Sequence, residues 1–303
     1  MLRYAVKRIL LAIVTVFIIA AITFFAMNAI PGGPFDSEKA TDPTTKATLE
    51  KRFNLDKPVY EQFVLYLGNA LHGDFGISLK TGREISTTIS NCFGISARLG
   101  GTSVVLALLF GLGLGCLAAL KRNRLADRAI IFITTLFVAV PSFILATILL
   151  LVFCLQLQWV GVWSPSNPNY VLPVIALALY PMAYITRLTK SSMLDVLGQD
   201  YIRTARAKGV HEWLVIFKHA LRNALIPVIT YVGPMTAYIL TGSMVVETVF
   251  TVGGLGTKFV SSINNQDYPM IMAVTIFLAV LMVVATLLSD LIYKAVDPRI
   301  KLD

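Results

Sequence analysis

The residues able to do chemistry are few and poorly spaced for catalysis. His72, His211 and His219 stand far apart, and His211-Glu212 lacks the second histidine four positions after the first that a helical zinc-protease site uses. The run Gly253-Gly254-Leu255-Gly256-Thr257-Lys258 misses the spacing with which a phosphate loop wraps a nucleotide, and no G-x-S-x-G elbow presents a nucleophilic serine. Cys92, Cys116 and Cys154 are odd in number and read as small apolar packing residues, without a disulfide frame or a metal set. The acids that count as intramembrane are Glu247, ending the fifth apolar run, and Asp290, ending the sixth, each placed to reach interfacial water, so neither a proton relay nor an intramembrane enzyme is implied. What remains is recognition. After Gly209, the residues Val210, Trp213, Leu214 and Phe217 load one short helix with apolar bulk, and exposed bulk of that kind marks a partner site.

The elements that must carry such a site are membrane helices. Of 303 residues, 56% are hydrophobic and only 14% charged, with a mean hydropathy of +0.73, which excludes ordinary soluble domains. Six stretches without Asp, Glu, Lys or Arg, 9–35, 99–120, 129–154, 171–186, 223–246 and 268–289, are each read as a crossing, the fourth leaning on its flanks. They are continuously apolar, whereas barrel strands alternate. The reading is all-α and polytopic, with six transmembrane helices. The first run is too long for a signal h-region and is read as a retained span.

Charge sets the orientation. Seventeen lysines and arginines fall in the N-terminal segment, the 121–128 turn, the 187–222 loop and the C-terminal tail, while the short loops near 155–170 and 247–267 carry only Lys258. Both termini are therefore expected in the cytoplasm. The net charge of +9 belongs to loops facing anionic lipid, and nucleic acid is not implied. Residues 36–96 balance seven bases against eight acids and are placed outside, with one short helix opened by Asp42-Pro43 and a second from Val59 to Leu71, started by Pro58 and closed by Gly73. Its Tyr60, Phe63, Val64 and Leu67 share a face expected to pack on the bundle. The organisation reads as 1–35, an N-terminal segment and first span; 36–96, the outer segment; and 97–303, a five-helix core containing the loop 190–225.

Within the spans, Pro141 falls mid-span, Pro173 and Pro181 bracket the fourth and Pro227 and Pro234 interrupt the fifth, kinks that suit a translocation path. Asn28, Ser142, Tyr180 and Glu247 are the candidates for lining it. Gly111, Gly113 and Gly115, with Ala118 and Ala119, form a small-residue stripe for close helix contact. In the inner loop, Met193, Leu197, Tyr201 and Ala205 recur every four residues on one face, with Arg203, Arg206 and Lys208 directed elsewhere.

That loop resembles the coupling loop of bacterial ABC-importer permeases, whose pattern is E-A-A-x-x-x-G, nine residues, then I-x-L-P. Aligned on Gly209, Ala205 and Leu221 also match, while Arg203-Thr204-Ala205 stands for E-A-A and His219-Ala220-Leu221-Arg222 for I-x-L-P. The variant A-R-A-K-G followed by H-A-L-R-N-A-L-I-P is similar to the dipeptide and oligopeptide permease branch. Arg3 and Arg8, Pro31-Gly32-Gly33-Pro34, His72-Gly73-Asp74-Phe75-Gly76, Gly242-Ser243, Glu247-Thr248, Phe250, Gly254-Leu255-Gly256, Asp267-Tyr268-Pro269 and Asp297-Pro298-Arg299 follow in that branch's order. The outer segment is most similar to its B-type, oligopeptide subunits.

The resemblance implies a type I importer-permease fold in the bacterial inner membrane. It implies a second, similar permease chain, two ATPase subunits that use ATP and Mg, an extracytoplasmic peptide-binding protein and peptide as cargo, with no cofactor on this chain. It assigns Arg203, Ala205, Ala207, Gly209, Val210, Trp213, Leu214, Phe217 and Leu221 to ATPase coupling, the alanines keeping the contact flat. A dipeptide or nickel-chelate importer of the same branch is the neighbouring alternative. An ion-coupled secondary transporter would need an inverted repeat and paired buried charges that the spans do not display.

Overall fold

The structure, a computed structural model, describes residues 2–29 and 56–296, with side chains from 8 to 289. The helix expected at Asp42-Pro43, the 31–34 turn, the Asp290 side chain and the terminal Asp297-Pro298-Arg299 lie outside what it describes. Among the described residues there is no strand. In chain order the helices are α1 (Leu2–Ala29), α2 (Val59–Leu71), α3 (Ile85–Leu120), α4 (Leu125–Ala139), α5 (Ser142–Leu149), which runs into a π-helical stretch (Leu150–Gln156), and α6 (Val171–Leu197). Then come α7 (Asp200–Ala207), α8 (Glu212–Leu214), a second π-helical stretch (Val215–Leu221), α9 (Arg222–Ala224), α10 (Ile226–Leu240), α11 (Met244–Val249), α12 (Leu255–Asn264) and α13 (Tyr268–Val296).

Five stretches are long and apolar enough to cross a membrane: Arg8–Ala29, Ile85–Leu120, Val171–Leu197, Ile226–Val249 and Tyr268–Ser289. The third expected span, 129–154, is broken. α4 and the α5 segment meet at 105°, because Pro141 has no N–H to offer and drives Val140 out of the helical region, to φ −84° and ψ 127°. The two halves still make one crossing. Asp127 at the start of α4 pairs with Lys190 near the end of α6 at 2.5 Å, while Cys154 at the far end packs with Trp163 and Leu172 at the start of α6.

Two other proline expectations need correction. Pro173 and Pro181 do not bracket the fourth span; both are buried within α6, which continues through Arg187 and Lys190 to Leu197. Pro227 does not interrupt the fifth; it occupies the first turn of α10, where a missing N–H costs nothing. The break in that span is instead at 241–243, where Gly242 adopts φ +92°.

α3 and α6 form the frame. A Cβ on Gly111 would lie 2.8 Å from Ile185 Cγ2, and one on Gly115 would lie 2.5 Å from Thr189 Cβ, so these two glycines let the helix backbones approach closely. Gly113 is not part of that contact: it faces open space, since a residue two positions on points away around a helix. Three turns before Gly111, on nearly the same face of α3, Gly100 fits against the Ile239 carbonyl of α10.

The outer segment is tied down by its motifs. Gly73 and Gly76 take φ +79° and +74° in the turn after α2, where Asp74 accepts the Gly76 N–H at 2.8 Å. Buried Asp267, ahead of α13, accepts from Ser78 Oγ at 2.5 Å and from the Leu79 N–H at 3.1 Å. On α2 the packing face is Phe63, Tyr66 and Leu67 against α1 and α13, with Phe63 among Phe17, Phe24 and Phe25. Burying such a ring stabilises by about 1.5–3 kcal/mol. Tyr60 and Val64 are exposed, so only half of the expected face packs.

Candidate functional site

The end of the bundle richest in lysine and arginine carries the 190–225 loop. α6 stops at Leu197, Gly198 and Gln199 reset the backbone, and α7 restarts at Asp200 with a new phase. The reset displaces the expected stripe: Met193 is fully buried, but Tyr201 is exposed and Ile202 takes the buried position. Gly209 then turns the chain at φ +75°, a conformation that costs a residue with a Cβ. Arg206 donates to Glu212 across that turn through Nη2 at 2.6 Å and Nε at 3.1 Å. This hydrogen bond, more than any other influence, holds the Glu212 carboxyl below the usual carboxylate range and raises the Arg206 guanidinium.

The returning arm, 212–224, has two faces. Val215, Ala220 and Ala224 are buried with Ile202 and Met193 on the ends of α3 and α6, and Ala205, Val210 and Leu221 pack at the edge of this cluster. The other face leaves Trp213, Leu214 and Phe217 at 59%, 46% and 41% exposed. Trp213 and Phe217 hold each other, with ring centroids 3.7 Å apart, and Asn223 donates to Tyr201 at 2.8 Å to brace the two arms. Arg203 and Ala207 lie on the solvent side, Arg203 within 3.5 Å of Asp200. Of the nine expected coupling residues, three form the apolar projection, one makes the turn, three root the arm and two flank it. The Asn223–Tyr201 hydrogen bond and the Arg206–Glu212 pair were not anticipated, because their partners meet only through the Gly209 turn.

The four path candidates separate. Ser142 and Tyr180 line one cleft of about 790 Å³ between α4, α5, α6, α10 and α11. Asn28 lines a different recess, at the α1–α2–α13 junction, and its amide caps the Phe24 carbonyl. Glu247 is neither interfacial nor in the cleft. It is 0% exposed and accepts from Ser96 Oγ at 2.7 Å and the N–H groups of Gly256 and Thr257 at 2.8 and 3.2 Å. Ser96 Oγ in turn accepts from the Leu255 N–H at 2.8 Å, which joins α3, α11 and α12. Glycine is required around it, because a Cβ on Gly256 would come within 2.8 Å of the Met244 nitrogen. Sequence reading also missed Asp127, whose charge lies outside the stretches that defined the spans. Among the described residues no cluster of ligating side chains could hold a metal.

A span broken at Pro141, a roomy cleft beside the break and an amphipathic arm standing off one end of the bundle define a membrane transport subunit. The chain belongs to the family of binding-protein-dependent transport system inner membrane components, whose model matches residues 111–302; the corresponding N-terminal model matches residues 1–108. Over 304 residues it is 44% identical to the dipeptide transport system permease protein DppB of Bacillus subtilis, covering 100% of this chain and 99% of that protein. It is 40% identical to the oligopeptide transport system permease protein OppB of Haemophilus influenzae, covering 99% and 100%. An inward-facing structure of the MetNI methionine ABC transporter superposes with TM-score 0.56 at 18% identity, covering 69% of this chain and 95% of that one. The fold is that of an ABC-importer permease.

Proposed function

We propose that this chain is the permease subunit of an ATP-driven importer that carries oligopeptides through the bacterial inner membrane into the cytoplasm. The observation that carries the reading is the arm at 212–224, rooted by one face on α3 and α6 and presenting Trp213, Leu214 and Phe217 on the other. An aromatic knob of this kind fits a groove on a partner, and the partners are two ATPase subunits that hold the ATP and Mg. Their closure moves the arm as a rigid body. It shifts the bundle only if the partners contact its two states differently. A second, similar permease chain completes the path, and an extracytoplasmic binding protein delivers the peptide. Both termini face the cytoplasm, supported by the basic residues concentrated at the arm's end of the bundle. Import of dipeptides is the second reading, favoured by the identity to the Bacillus subtilis relative.

The test reconstitutes the complete transporter and follows labelled di- and tripeptide uptake into proteoliposomes. Uptake is expected to require ATP, and Gly209→Pro with Trp213→Ala is expected to abolish both uptake and ATPase co-purification while the chain stays folded. Peptide uptake by this chain alone without ATP would overturn the reading in favour of a secondary transporter.

A further inference from the structure

The prolines inside the spans converge. Pro141, Pro181 and Pro234 come from three separate spans, yet all three line the same cleft of about 790 Å³. Pro181 and Pro234 lie inside helices and lack an N–H, so the carbonyls four residues earlier, of Leu177 and Thr230, lose their helical donor, and Leu177 is itself in the cleft wall. The break at 241–243 borders the same space, with Thr241, Gly242 and Ser243 in its wall. Backbone released from helical bonding at membrane depth persists where it is buried in protein or lines a wet cavity, and broken helices supply binding groups in other membrane carriers.

Tyr180, Tyr231 and Tyr238 add hydroxyls to the wall, and none of the three hydroxyls has a hydrogen-bond partner among the described residues. Tyr238 is 71% exposed, so the cleft is open on that side. No charged side chain among the described residues lines it. The lining offers uncharged donors and acceptors and nothing that selects a side-chain charge.

We propose that this cleft is an intramembrane peptide site that grips the peptide main chain, its carbonyls on the tyrosine hydroxyls and its N–H groups on the Leu177 carbonyl that Pro181 releases. This rests on the permease reading and adds to it a binding site and a basis for tolerating varied side chains.

The experiment uses the complete reconstituted transporter with benzoylphenylalanine in place of Tyr238 or, as a control outside the cleft, Phe132. During ATP-driven uptake of a biotinylated tripeptide, illumination is expected to yield a peptide adduct at position 238 and none at 132. Uptake without an adduct at 238, or equal adducts at both positions, overturns the site. Uptake that needs no ATP overturns the permease reading instead, whichever adduct forms. A Tyr180→Phe, Tyr231→Phe, Tyr238→Phe variant keeps the rings and tests main-chain recognition. At saturating loaded binding protein its uptake rate is expected to fall about tenfold, as the loss of two or three modest hydrogen bonds predicts. The fall is expected to be equal for trialanine, trileucine and a lysine-containing tripeptide; an unchanged rate, or a fall that follows the side chain, overturns it.

Discussion

Glu247 and Trp213 stand near opposite ends of the α3–α6 frame and are treated in opposite ways. The carboxylate is withdrawn completely from solvent and given Ser96 and two backbone N–H groups as donors, whereas the indole is pushed outward although an apolar core lies directly beneath the same arm. The polar residue is used for architecture and the apolar one for association. In a membrane protein the hydrophobic effect does little to hold helix to helix, so satisfied polar contacts and close backbone approach specify the bundle, and spare apolar surface beyond the lipid marks what must be covered by another chain.

The comparison breaks first at Glu247. Glu247→Ala strands three buried donors and is expected to cost about 3 kcal/mol or more, read as a large drop in thermal unfolding temperature in detergent; a loss below about 1 kcal/mol would show that the cluster is not architectural. Gly115→Val forces α3 away from Thr189 and is expected to cost about 2–3 kcal/mol by overpacking, visible in the same assay, while the same change at Gly113, which meets only open space, should pass unnoticed. Trp213→Ala with Phe217→Ala sharpens the other side. Folding should change by less than about 0.5 kcal/mol, while binding to the ATPase subunits weakens by about 2 kcal/mol, roughly thirtyfold; matched losses in folding and binding would make the pair a core element. The smallest effect is at the turn. Glu212 is held low chiefly by the Arg206 hydrogen bond, so its contribution is complete above the ordinary glutamate pKa and is lost as pH falls through the lowered value. Both groups are about half exposed, which limits the gain to about 0.5 kcal/mol, and Glu212→Gln should flatten the acid limb of a stability profile by no more than that.

Much of this was legible in the sequence, for identifiable reasons. Continuous apolar runs declared the spans, Pro58 and Gly73 bounded α2, and the bulk after Gly209 announced an exposed face. Glu247 was legible as unusual but not as buried, because its donors come from residues 96, 256 and 257 and only the fold brings them together. Asp127 escaped attention because it looked like one charge in a basic turn until α6 supplied Lys190. The Pro141 break was foreseeable in kind, since proline must release a carbonyl, but its 105° angle depends on how α5 packs against α6. Tyr201 was assigned to the wrong face because helical spacing was carried across Gly198, where the helix ends.

The close glycine contact between α3 and α6 has a mechanical consequence. Along α3 (Ile85–Leu120), Ser96 and Ala119 are separated by about 35 Å at ~1.5 Å per residue, so a swing of about 5° at one displaces the other by about 3 Å. The arm is bolted beside Ala119 at one end of this rod, and Ser96 near the other end grips the α11–α12 corner that borders the cleft. Held together by that contact the two helices form a stiff rod, so a rotation imposed at the arm would be carried to the α11 corner rather than absorbed along the way.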